Sequence, residues 1–96
     1  MPNLSPSRSG VLKARTQANL IQYLNIDLDL AFTFLETARI VAESNARHSK
    51  SAVEKARTAL ASIRKFQRHV EDQNAAASIN DQANRLEVAI NAFARV

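Results

Sequence analysis

Apolar residues recur along most of this chain at alternating spacings of three and four. Ile21, Leu24, Leu28, Ala31, Leu35, Ala38 and Ala42 make the first such row, which is the signature of one helix face. The short alternation Leu24-Asn25-Ile26-Asp27-Leu28-Asp29-Leu30 suggests a strand when read alone. The row it belongs to runs well beyond the length of an ordinary strand, so the helix reading prevails. A second row holds Val53, Ala56, Leu60, Ile63, Gln67 and Val70, with Ala59 and Phe66 beside it. A third holds Ile79, Ala83, Leu86, Ile90 and Phe93. These rows predict helices over about 17–44, 50–71 and 74–95. Residues 1–15 contain Pro2, Pro6, Gly10 and several serines, and are expected to form an irregular or partly helical arm ahead of a bundle spanning 16–96.

End signals refine these limits. Thr16 reads as an N-cap, Asn45 as a C-terminal stop, and Asp72 or Asn74 as the cap of the third helix. Ser51 followed by Glu54 has the form of a capping box. Short connectors make neighbouring helices antiparallel. The expected fold is an all-α, up-down-up three-helix bundle. A first turn centred near residue 47 sets Asp27 level with Gln67 and Leu28 level with Phe66, and a second sets Gln67 level with Ile79. Asp27 lies within an apolar arc, where a lone carboxylate is costly. A polar layer shared with Gln67, or a partly exposed position at the end of the bundle, is its expected role.

The first helix carries more apolar surface than two neighbours need. An amphipathic helix typically shows a stripe a little over ~100° wide; here the arc spans roughly 220° at about 100° per residue. Tyr23, Ile26, Leu30 and Val41 lie in the excess and are the expected partner-binding residues. The expected partner is a second copy of the chain, as a homodimer, or another helical protein.

Composition narrows the classes. The 96 residues contain no Cys, one Gly and two Pro, with Gly and both Pro among the first ten. Disulfides, thiolate metal sites and Gly-rich phosphate loops are therefore excluded. Charge interrupts every apolar stretch, so no membrane span is expected, and no secretory-type apolar leader is visible. A cytoplasmic location is the expectation. The net charge of +4 is unevenly spread, with seven basic and one acidic residue over 45–70, against one basic and four acidic over 17–44. Such a pattern suits helices that complement one another.

Within the basic segment, Lys50, Arg57, Arg64 and Arg68 form a stripe. Its alternative reading is a nucleic-acid-binding module, since phosphates dominate non-specific affinity. The stripe holds no aromatic residue on which bases could stack, and no Gly-marked turn of a helix-turn-helix precedes it. A solvated or internally paired face is expected instead. Arg64-Lys65-Phe66-Gln67-Arg68-His69 resembles, over six residues, the Arg-x4-His motif of HEPN-type helical ribonucleases, which would imply RNA cleavage by Arg64 and His69. Periodicity places His69 opposite the seam, and the flanking sequence does not extend the resemblance. Ser51 to Leu60 is similar to the second helix of tetratricopeptide or MIT-type hairpins, which would imply peptide binding between helices. His48 and His69 have no Glu three positions upstream and no further ligands at metal-binding spacing. No serine is paired in sequence with a base. The expectation is a non-catalytic module with no metal and no cofactor.

Overall fold

The computed structural model describes the backbone of residues 4–94 and the side chains of residues 15–93. Three helices make up the chain: α1 (Leu4–Val41), α2 (Ala46–Gln67) and α3 (Gln73–Ala94). They pack as an up-down-up bundle, with α1 touching both others and α2 touching α3. The all-α three-helix fold is the one that the periodicity predicts.

α1 is longer than expected at its N-terminal end. The region anticipated as an irregular or partly helical arm is continuous with the helix from Leu4 onward, and Thr16 sits inside the helix rather than capping it. Pro6 falls in the first turn, where a helix has no N–H partner to lose. Gly10 costs only about 1 kcal/mol relative to Ala in a helix interior, which weakens a helix without ending it. Pro2 lies outside the described residues. The 38 residues of α1 face partners of 22 each. At ~1.5 Å per residue a 22-residue helix is about 33 Å long and α1 about 57 Å, so α1 accounts for most of the 67 Å length of the molecule.

The first turn is shorter and earlier than expected. α1 stops at Val41 and α2 begins at Ala46. Asn45 is not a left-handed stop; its φ is −152° and its side chain caps α2, Oδ1 accepting from the His48 N–H at 3.0 Å. Ser51 and Glu54 consequently lie inside α2, and the box they spell caps nothing. In an antiparallel pair each residue of turn displacement counts twice. The register therefore shifts by about seven residues, two helical turns. Ser49 Oγ donates to the Ala38 carbonyl at 2.8 Å, and Tyr23 Oη meets Ser62 Oγ at 3.4 Å. Gln17 clamps the far end, its Nε2 donating to the His69 carbonyl and its Oε1 accepting from the Glu71 N–H. Asp27 is thus opposite Ala59 and Ser62. The polar layer expected between Asp27 and Gln67 does not exist.

At the second turn α2 ends at Gln67, about four residues before the expected limit of 71, while the α2–α3 register is the expected one. Asp72 caps α3 by accepting from the N–H groups of Asn74 and Ala75. Gln67 reaches Asn80, next to Ile79, at 3.1 Å.

The core is one cluster. α1 contributes Leu24, Leu28, Ala31 and Leu35, and α3 contributes Ile79, Ala83, Leu86 and Ile90. On α2 the buried row is Ala52, Ala56, Ala59 and Ile63, which keeps Ala56 and Ile63 of the row that the sequence suggested and takes Ala52 and Ala59 in place of Val53 and Leu60. Val53 and Leu60 are half-buried against the core. Alanine lets helix backbones approach closely, and the smallest row of α2 faces α1. Ser49 is buried with them, its hydroxyl satisfied by Ala38. Among the described residues no buried side-chain polar atom lacks a partner.

Candidate interaction surface

The side of α1 turned away from the core carries a second row. Tyr23, Ile26, Leu30, Thr33, Thr37 and Ile40 follow the spacing 3-4-3-4-3, which keeps them on one side of a helix. Its large apolar members stand in solvent: Tyr23 is 48% exposed, Ile26 58%, Leu30 46% and Ile40 69%. Val41, expected in this group, is half-buried; Ile40 takes its place on the open face. Continuing the 3-4 spacing from Tyr23 reaches Ile40, whereas reading outward from the buried row reaches Val41. That choice of origin is why Ile40 was missed.

α2 forms one bank of this surface. The Tyr23 and Phe66 rings meet edge to face, with centroids 6.4 Å apart at 87°, a favoured aromatic arrangement. Lys55 Nζ lies 5.8 Å from the Phe34 ring centroid, and Lys65 Nζ lies 5.5 Å from that of Phe66. Both ammonium groups thus rest over aromatic faces. Thr33 adds little polarity to the row, because its hydroxyl donates back to the Asp29 carbonyl at 2.9 Å.

Asp27 sits between this row and α2, in a shallow groove with Tyr23, Leu30, Phe34, Thr58 and Ser62. It is half-buried, and no described residue hydrogen-bonds its carboxylate. Loss of solvent raises its pKa above the usual carboxylate value. Asp29 is exposed on the opposite bank.

The basic stripe of α2 is divided by the fold. Arg64 leaves it to bind α3. Its guanidinium donates to Asn84 Oδ1 at 2.7 Å, Glu87 Oε1 at 2.9 Å, Asn80 Oδ1 at 3.1 Å and Gln67 Oε1 at 3.3 Å. Fork-shaped donation to several acceptors suits arginine and not lysine. Nothing in the spacing of Arg64 distinguished it from Arg57; only the α2–α3 register brings Asn80 and Asn84 beneath it. Lys50, Arg57 and Arg68 stay exposed. Lys50 and Arg57 border a shallow apolar groove with Val53 and Phe93 near the α1–α2 turn. His69 lies in the α2–α3 turn, and no hydrogen bond joins it to Arg64. Among the described residues no cluster of three or more His, Asp or Glu is arranged to hold a metal ion, and no helix is long and apolar enough to cross a membrane.

Comparison with protein-family models, with curated proteins and with solved structures gives no match to this chain in any of the three.

Proposed function

We propose that this chain is a non-catalytic helical interaction or assembly module, acting in the cytoplasm, whose α1 outer row receives a second helix. The observation that carries the proposal is the run of Tyr23, Ile26, Leu30 and Ile40, exposed in a continuous helical spacing on a helix that already buries its other face. Scattered exposed apolar residues are normal, and Val88 on α3 is one. A contiguous row at heptad spacing is different, because it fits the knobs-into-holes contact of another helix. The recognition mode is helix against helix, with anchors at i, i+3 and i+7.

Sedimentation equilibrium over a wide concentration range tests the reading. The expected result is association by the wild-type chain that Ile26→Lys/Leu30→Lys abolishes, with helicity and melting temperature unchanged. Association that survives this double substitution would place the contact elsewhere and overturn the proposal.

A further inference from the structure

Resting on that reading, we infer that the partner helix is α1 of a second copy, arranged parallel and in register about a two-fold axis running along the bundle. The argument comes from the two banks of the outer row.

One bank belongs to α1 itself. Arg15, Gln22, Asp29 and Glu36 recur every seven residues just ahead of the row, and all four are exposed within α1. The last two are acidic, and Glu36 is already paired with Arg39. The other bank belongs to α2, where Lys55 rests over Phe34 and Lys65 over Phe66, and Asp27 of α1 and Glu54 of α2 line the same groove. Along the Asp29–Glu36 stretch each protomer therefore carries an acidic rim on one side of the row and, at Lys55, a basic group on the other.

Symmetry decides how two such surfaces combine. In a parallel two-fold pair, the left rim of each copy meets the right rim of the other, as g positions meet e positions in a parallel coiled coil. In an antiparallel two-fold pair each rim meets its own copy, acid on acid and base on base. Only the parallel arrangement is complementary, and like charges set against each other select strongly against the alternative.

The levels agree as well. In a parallel pair a residue ahead of the row faces the residue about five positions later in the partner helix. Asp29 of one copy then faces Phe34 of the second, over which Lys55 already rests. Among the described residues neither Asp29 nor Lys55 forms an ion pair. Glu36, paired with Arg39 in its own protomer, similarly reaches the level of Val41. Gln22 faces Asp27 and offers an amide donor to its carboxylate, which no described residue hydrogen-bonds. Thr33 and Thr37 face their own copies in the middle of the seam. A slip by one heptad would set each against a large apolar side chain.

Because the chain has no cysteine, oxidative cross-linking of single-cysteine variants reads the geometry directly. Ile26→Cys and Ile40→Cys, each in the full chain, are oxidised separately and as a mixture. A parallel in-register dimer brings equivalent residues of the row within disulfide reach, so each variant is expected to cross-link to itself. Lys55→Glu is expected to weaken the dimer about tenfold by sedimentation, and Asp29→Lys/Lys55→Glu to restore it. Cross-linking only in the mixture, Ile26→Cys to Ile40→Cys, would show an antiparallel pair. That result overturns the inference while leaving the row as the contact. A wild-type chain that stays monomeric at millimolar concentration overturns the second copy as occupant. Persistent association with no cross-link at either position overturns both the inference and the reading beneath it.

Discussion

The two long faces of α1 have similar sequences and opposite fates. The inner row, Leu24, Leu28, Ala31, Leu35 and Ala38, is at most 5% exposed. The outer row, Tyr23, Ile26, Leu30 and Ile40 with two threonines between, is about half in solvent or more. Hydrophobicity alone does not separate them, since the outer row contains an aromatic residue and three large aliphatic ones. The difference lies in size pattern. The inner row mixes Leu with Ala and meets the alanine row of α2, so the two backbones come close and leucines fill the gap with α3. A β-branched or aromatic residue at every other turn would hold α2 away. Burial follows the partner's shape as much as the residue's own polarity.

Substitutions that break this contrast should differ most in the protomer itself. Leu28→Ala is expected to lower the unfolding free energy by about 3 kcal/mol, within the usual range for a fully buried leucine. Leu30→Ala should change it by less than about 0.5 kcal/mol. Urea unfolding at low micromolar concentration measures both. Equal losses would mean that the outer row is buried within the protomer after all.

The next largest effect concerns what keeps α3 in place beside the inner row. Arg64→Ala should destabilise by about 1–2 kcal/mol, because it leaves the Asn80, Asn84 and Glu87 acceptors without their shared donor. Arg57→Ala, on the same stripe but exposed, should stay within about 0.5 kcal/mol. A similar cost for both would show that Arg64 gains nothing from its four acceptors.

The register that decides which α1 row is inner begins at the α1–α2 turn. Asn45→Ala is expected to cost about 1 kcal/mol as a lost N-cap. Ser51→Ala, inside α2, should be neutral or slightly stabilising. The reverse order would restore the later turn suggested by the Ser51–Glu54 pattern.

The smallest effect belongs to Asp27, at the border of the two rows. Desolvation raises its pKa in the folded protein above the ordinary value of 3.8. The native state then holds this proton more tightly than the unfolded chain, so its contribution to stability falls as pH rises through the raised pKa. Asp27→Asn should therefore be neutral to slightly stabilising at pH 7. The difference from wild type should shrink as the pH is lowered through that pKa to below 3.8. Chemical denaturation of both proteins at pH 7 and pH 3.5 checks the sign; a destabilising Asp27→Asn at pH 7 would require a cationic partner for the carboxylate.

Much of this was legible in the chain. The inner row of α1 from Leu24 to Ala38 and the Ile79–Ile90 row of α3 are read correctly from periodicity because each holds at least three large apolar residues in register; Ala42, the last of the α1 row, is exposed in the turn beyond Val41. α2 is harder. Its alanines carry little hydrophobic signal, so Val53 and Leu60 were read into the seam in place of Ala52 and Ala59. Capping signals were similarly ambiguous. Asn45 can end one helix or begin the next, and Ser-x-x-Glu occurs inside helices as readily as before them. Tyr23, Ile26 and Leu30 were recognised as surplus, since an apolar arc too wide for two neighbours is a local property. Ile40 was not, because its membership of the outer row depends on where that row starts.

The sequence by itself determined three helices, their order and the excess of apolar surface on the first, because periodicity and helix propensity act over a few turns of one chain. Only the tertiary structure decided which excess residues stay exposed, that Arg64 belongs to α3 while Arg57 faces solvent, and that Asp27 has Ser62 rather than Gln67 opposite it. Those outcomes depend on the register between helices. A displacement of a few residues at one turn, doubled by antiparallel pairing, changes every contact along α1 and α2 while leaving each helix the same.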